Sequence, residues 1–554
     1  MPKHTWIAVL AGSLCILSVT QKPAPPAAVS SPLASTLEKI RTSALSCSPD
    51  WRNYDIGQLA ATMIPLPGSG RWHWKISTKS DSAQFYFNQG MNCYYGFHIV
   101  ESVPSFRKAQ QFDPNCAMLY WGEALAMGPN INDFGYTASK EAYAAAQKAV
   151  QLSSGAGASE KALITVMASR YSADSTADQL ALNQVYAEAM RQLLPRYGSA
   201  DMVALTADAL MLLHPWDFWK HDGTPQAWTP ELAALLERGL QRYPNHPGLN
   251  HYYIHVVEAS PDPGKATASA NRLGGLAPSL SHLVHMPSHI YVRTGRYIDG
   301  IRANQQAVQG YYSYLAIFPE VESKADLYEF HNRHMETACA INLEDYAAAL
   351  KLANDCQEHT PAVFMQDPVF GYYVQYIYMS PLFVKIRFQQ WEDILSEKPV
   401  GDSNRYAALL QHFGRGLAQA GVGNPMAANE ELAQCRQLAA DSSLEKPLGP
   451  MNAPSAGAGV AIDILQGAIA QAERKYPAAK AFYQSAVAKE DNMIYNEPRD
   501  WLLPARQWLG ACLLESGEFA EAAAVYKEDL RINPNSPVSL NGIKAAGAQK
   551  SGSK

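Results

Sequence analysis

The stretch ARQWLGACLLESGEFAEAAAVYKEDLRINPNSP, Ala505 to Pro537, decides how the chain is read. Two small residues, Gly510 and Ala522, stand where two antiparallel helices must come close. Tyr526 follows, large enough to fill the gap to the next helical pair. Pro534 stops the second helix, because proline has no backbone N–H and clashes with the preceding turn.

Four hundred residues earlier the pattern returns in FYFNQGMNCYYGFHIVESVPSFRKAQQFDPN, Phe85 to Asn115. With Pro114 and Pro534 each set at position 32 of a 34-residue unit, Gly90 and Gly510 both fall at position 8, and Phe106 and Tyr526 both fall at position 24. Leu509 takes position 7, Ala522 position 20 and Ala109 position 27. These are the signature places of a tetratricopeptide (TPR) repeat. A helical bundle without repeats would not return the same residue types at the same places in two distant units. GRYIDGIRANQQAV, EDYAAALKLAND and KYPAAKAFYQSAVAKED read as further second-helix starts. The expected fold is all-α, an α-solenoid of TPR-like antiparallel hairpins.

The chain of 554 residues has room for a long array, and an apolar share of 47% is that of an ordinary globular protein. Lys and Arg number 45 against 51 Asp and Glu. That balance leaves no basic footprint for nucleic acid.

Residues 1–22 read as a signal peptide: Lys3 precedes a thirteen-residue apolar run, Ile7 to Val19, too short to span a bilayer comfortably. Leu14 before Cys15 argues against lipidation. Export, to the periplasm or outside the cell, is the expectation, with no membrane span once the signal is removed. Residues 23–80 are rich in Pro, Ser and Gly and read as an arm or linker. The solenoid is expected over 81–545, and a disordered tail over 546–554. Eight cysteines include no CxxC pair, so a zinc–thiolate site is not expected. Cys339 and Cys356 have the spacing to face each other across a hairpin.

The repeat register also sorts the histidines. In LVHMPSHIYVRTGRY, Leu283 to Tyr297, Gly295 marks the turn at position 15. His282, His285 and His289 then take positions 2, 5 and 9 of a first helix, with Pro287 at 7 kinking it or starting its core. One repeat upstream His251, His255 and Glu258 take 5, 9 and 12, and downstream His331 and His334 take 2 and 5. Positions 2, 5, 9 and 12 share one helix face, the one that lines the concave groove. Seven of the fifteen histidines therefore aim into one groove.

Two histidines four apart on a helix can hold one ion, and a neighbouring helix about 10 Å away supplies more ligands. Neutral imidazole suits zinc, iron or copper, one or two ions per chain. His251, His255, His285, His289, His331 and His334 are the expected ligands. Glu258 is the expected catalytic carboxylate, as ligand, base or the group that orients an imidazole. A groove lined by histidines without metal, holding an anion or peptide, is the other reading.

ADALMLLHPWDFWKHDG places Asp208, His214 and Trp216 near a helix end, read as aromatic packing or as a substrate wall beside the groove. Arg293 joins that wall, next to the Gly295 turn. His98 with Glu101 read as capping or packing. The loops WGEALAMGPNIN and IYNEPRDWLLP, which carries Glu497, read as plain turns that have the composition to close over the groove.

Together, FNQGMNCYYGFHIVESVPSFRKAQQFDPNCAMLYWGEALAMGPNIN, NHYYIHVVEAS, HMPSHIYVRTGRY, HNRH and YNEPRDWLLPARQWLGACLLESGEFAEAAAVYKEDLRINP resemble exported bacterial TPR proteins that carry an HMPSHI motif. The resemblance runs from about Ser82 to Ile543. It implies an α-solenoid and a shared histidine site at His251, His255, His285, His289, His331 and His334, and no particular reaction. Asp208 stands where such proteins often have Glu, which puts a shared role there in doubt. The functional expectation is a metal-dependent hydrolase or oxidoreductase acting on a small molecule or peptide in the groove. Its alternative is a scaffold that binds a peptide or protein partner without catalysis, or a metal carrier.

Overall fold

Phe106 sits between two glycines. Its ring lies 2.8 Å from where a Cβ on Gly90 would be, and it also fills the space beside Gly122 on the following helix. This is the packing the repeat register demands, and Tyr526 repeats it against Gly510 and Gly542. In the computed structural model the protein is described over residues 51–132, 136, 139–319, 328–401, 403–447 and 452–552. There it is helical, with no strand beyond an isolated bridge between Trp219 and Pro225.

The first hairpin is Asp81–Tyr95 with Ile99–Phe112, and the last that the sequence marked is Ala505–Glu515 with Phe519–Ile532. Between them, successive hairpins stack into an α-solenoid. Two hydrophobic cores run through it. One joins buried residues from Ile56 to Phe318, the other from Phe330 to Tyr526. The array also bends back on itself: the Tyr297 hydroxyl donates to the Pro534 carbonyl at 2.8 Å. Gly295 meets the same carbonyl with φ +70, so both the close approach and the left-handed backbone require glycine there.

Three first helices carry the histidines: Pro247–Val257, the pair Ser281–His285 and Pro287–Arg293, and Tyr328–Ala340. The middle one breaks at Met286, directly before Pro287, as the missing N–H of proline requires. The first two helices belong to the N-terminal core and the third to the C-terminal core. The histidines therefore lie at the junction of the two.

Some expectations meet these residues differently, and others fall outside them. Residues 51–80 are not a free linker: Ile56, Leu59, Met63 and Ile76 are buried in the first core, and the Gln89 side chain ties down the Leu66 N–H at 2.8 Å. Their apolar residues find a helical surface to cover, which composition alone did not reveal. The final helix, Pro537–Gly552, continues through most of the segment expected to be disordered. The signal peptide over 1–22 lies outside the described residues, as do Cys15 and Cys47. Cys339 and Cys356 are both free thiols, like the other four described cysteines.

Candidate metal centre

Six imidazoles converge as two groups of three. His251 Nε2 lies 3.1 Å from His255 Nε2 and 3.0 Å from His282 Nε2. His285 Nε2 lies 2.7 Å from His289 Nε2 and 3.1 Å from His331 Nε2. All are buried except His331, which is partly exposed.

The opposite ring nitrogens show where the protons are. A neutral imidazole has one donor nitrogen and one acceptor nitrogen. His251 Nδ1 donates to the Tyr95 carbonyl at 2.6 Å. His285 Nδ1 donates to Asn304 Oδ1 at 2.6 Å, and the Asn304 amide is oriented by its own donation to the Gly300 carbonyl. His255 Nδ1 and His289 Nδ1 donate to the two oxygens of Glu258, at 3.0 and 2.6 Å. With Nδ1 protonated in all four, the Nε2 lone pairs of His251 and His255 point at each other, and so do those of His285 and His289. Lone pairs that close repel unless a cation, either a metal ion or an extra proton, lies between them. Zinc bound at 2.0–2.1 Å to tetrahedral nitrogens would set them about 3.3 Å apart, close to the spacing found.

Burial and neighbouring imidazoles hold His251, His282 and His285 well below the ordinary histidine range. His331 is held at about 4 by burial and His289. Those four are neutral imidazoles, the form that a metal ion would bind. His289 behaves oppositely: burial would lower it, but Glu258 and Glu497 outweigh burial and raise it to about 10. His255 is raised for the same reason. A metal there would compete with a proton.

Glu258 is thus an orienting group in this geometry. Both its oxygens are committed to imidazole N–H donors, one from each trio. It follows the last turn of the Pro247–Val257 helix, and the Tyr495 hydroxyl donates to it at 3.3 Å. Glu497 stands behind the same two rings, 3.8 Å from His255 Nδ1 and 3.6 Å from His289 Nδ1. Its carboxyl is pulled well below the usual range, since His289 and His255 outweigh its burial. One buried carboxylate and one partly buried carboxylate next to six imidazoles would offset part of the charge of two divalent ions.

A cavity of about 510 Å³ opens onto the site, lined by His255, His282 and His331 with Glu258, Glu497, Tyr495, Trp216 and Arg293. Phe97 covers the first trio, its ring centroid 4.6 Å from that of His251 and 5.4 Å from that of His282. It holds φ 58, a backbone strain that a buried, tightly packed ring sustains.

Five of the six expected ligands fall in the trios. His334 does not. Its ring faces Tyr373 and Tyr376, at centroid distances of 6.2 and 5.7 Å, and neither ring nitrogen has a hydrogen-bond partner. Burial holds it at about 3. Its place is taken by His282, weighed as a groove residue but left out of the expected ligand set. Of the expected substrate wall, Trp216 and Arg293 line the cavity, whereas Asp208 and His214 do not. Asp208 is buried inside its helix, where it accepts from the Tyr94 hydroxyl at 2.7 Å. His214 ends that helix and stacks on Trp228 with ring centroids 3.6 Å apart. His98 and Glu101 pair with each other, 3.5 Å apart. The IYNEPRDWLLP loop is not a plain turn: it brings Tyr495, Glu497 and Arg499 into the cavity wall. Its mixture of aromatic and charged residues was the one sequence signal for this. The Tyr95 carbonyl, Asn304 and Phe97 left no such signal.

No family model matches the chain, and no curated protein matches it. Among solved structures it is similar to yeast Tom70, at 10% identity and TM-score 0.31, covering 86% of this chain and 97% of that one. It is also similar to human IFIT1 with m7Gppp-AAAA, at 11% identity and TM-score 0.29, covering 93% and 99%. A third is the APC/C hetero-tetramer Cut9-Hcn1, at 13% identity and TM-score 0.28, covering 84% and 76%. Likenesses this distant say nothing about ligand or partner, and the repeat architecture rests on the hairpins of this chain.

Proposed function

We propose that the protein is a TPR-like helical scaffold that holds two metal ions, one in each histidine trio, at the base of its cavity. One observation carries this reading: two pairs of Nε2 atoms face each other at 3.1 and 2.7 Å while their Nδ1 protons are committed elsewhere. His251, His255 and His282 would hold one ion, and His285, His289 and His331 the other. Bound zinc, iron or copper would supply Lewis-acid or redox chemistry there. The residues of the chain supply the rest: Glu258 fixes the tautomer of one ring in each trio, and the aromatic walls Phe97 and Trp216 restrict water. A metal-dependent hydrolase or oxidoreductase acting on a small molecule is the activity this supports.

A second reading is binding without catalysis, of a peptide, a protein partner or the metal itself. The stacked helical hairpins favour it, because such arrays bind extended partners along their concave face. Export belongs with the proposal, on the signal-like residues 1–22. Among the described residues no helix is long and apolar enough to cross a membrane.

Elemental analysis of protein purified without a metal-affinity tag is the test. Two equivalents of one transition metal are expected. Less than ~0.2 equivalents of any metal, unchanged on reconstitution, would mean that protons and not metals fill the trios. Turnover screening of loaded protein then separates enzyme from carrier. A mature N-terminus beginning near residue 23 in exported material checks the signal.

A further inference from the structure

The arginines of the cavity wall fall into two kinds. Arg506 is paired with Asp491 at 2.6 Å and Arg531 with Glu528 at 3.0 Å. Arg293 and Arg499 line the same cavity, and among the described residues neither has a carboxylate partner within 4.0 Å. Arg293 gives its two terminal nitrogens to the backbone carbonyls of Glu258 and Ser260, and its plane lies over the Tyr495 ring at 4.7 Å. Its Nε is buried without a partner. Arg499 makes no hydrogen bond or ion pair to a described protein group, and its Nε is buried as well. Burial and the charge of Arg499 hold Arg293 down, at about 10.

Two adjacent guanidinium groups with buried, unused donors are costly unless something negative joins them. No cavity carboxylate pairs with them directly: Glu258 and Glu497 face the imidazoles, Glu490 accepts from the Ala505 N–H, Asp500 accepts from Asn452 and Asn496, and Asp491 and Glu528 have their own arginines. We infer that the cavity takes a small molecule bearing an oxyanion, a carboxylate or phosphoryl group, held by Arg499 and Arg293. The assignment rests on the proposed metal centre for its chemistry, since the anion would anchor a substrate beside the two trios. Arginine suits this, because its fork matches both oxyanions.

Isothermal titration of inorganic phosphate and of acetate, at constant ionic strength, tests it on metal-loaded and on chelated protein. At least one anion is expected to bind the wild type in both forms. Arg499→Gln should weaken that binding ~10-fold or more. Arg302→Gln, at a side chain 70% exposed, should leave it unchanged. Phosphate alone binding assigns a phosphoryl group, acetate alone a carboxylate. No binding of either anion, or equal binding by wild type and Arg499→Gln, overturns the proposal. Arg499→Lys is read in the same way if Arg499→Gln does not fold, since it keeps charge but loses the fork. Metal content, measured alongside, keeps the two readings apart. Arg499-dependent binding in protein that takes up no metal supports the anion site and sinks the metal centre.

Discussion

His255 and His289 donate to opposite oxygens of one carboxylate, Glu258, at 3.0 and 2.6 Å. Each ring belongs to a different trio, so a single side chain sets the tautomer on both sides of the site. Glu258→Gln keeps the volume but replaces one acceptor oxygen with a donor amide. One of the two rings must then lose its partner. Metal affinity, measured by competition with a chelator, should fall 10- to 100-fold, as it does when such outer partners are lost. Unchanged affinity would show that Glu258 does not orient the rings.

The two trios share no ring nitrogen, so their losses should be separable. His251→Ala is expected to remove about one metal equivalent and His285→Ala the other, by elemental analysis after dialysis. Loss of both ions from either single change would point to one indivisible cluster.

His334 shares the Tyr328–Ala340 helix with His331 yet lies outside the trios, so His334→Phe should leave metal stoichiometry unchanged. The ring would replace an imidazole whose nitrogens have no hydrogen-bond partner with an apolar one of similar size. Thermal stability should hold or rise by ~1 kcal/mol equivalent. A lost equivalent of metal would restore His334 to the ligand set.

Glu490 gives the pH prediction. Burial raises its carboxyl to about 7, opposed by the Ala505 N–H, Arg499 and Arg506 and helped by Asp529. A folded value above the unfolded one means the folded state binds more protons between about 4.5 and 7. Stability from this group is full below that window and is lost as pH rises through it. Glu490→Gln keeps an acceptor for Ala505 and removes the titration. Its Tm relative to wild type should rise by about 2 °C between pH 5 and pH 8. A constant difference across that range would mean Glu490 titrates as if exposed.

Packing in the repeat is tested at Gly90. A Cβ there would lie 2.8 Å from the Phe106 ring, with Gly122 closing the other side. Gly90→Ala should lower stability by about 1–3 kcal/mol, because the ring has nowhere to move. Calorimetry with no change in Tm would mean the hairpins shift freely.

The repeat reading came from the sequence because it depends on spacings within one hairpin. Gly90 with Phe106, Gly510 with Tyr526 and the break at Pro287 are local consequences of helix geometry and proline chemistry. The same periodicity placed His251, His255, His285, His289 and His331 on one groove, since residues on a helix face are fixed by rotation per residue. Which imidazoles meet is a different matter. The stagger between neighbouring helices brings His282 to His251, and the Tyr373–Tyr376 face takes His334. Glu497 and Tyr495 reach Glu258 from more than two hundred residues away, carried there when the array bends back. No periodicity encodes that contact. The sequence by itself therefore determined the hairpin scaffold and the face that bears the site, while the tertiary structure alone decided the two trios, their shared carboxylate and the unpaired arginines beside them.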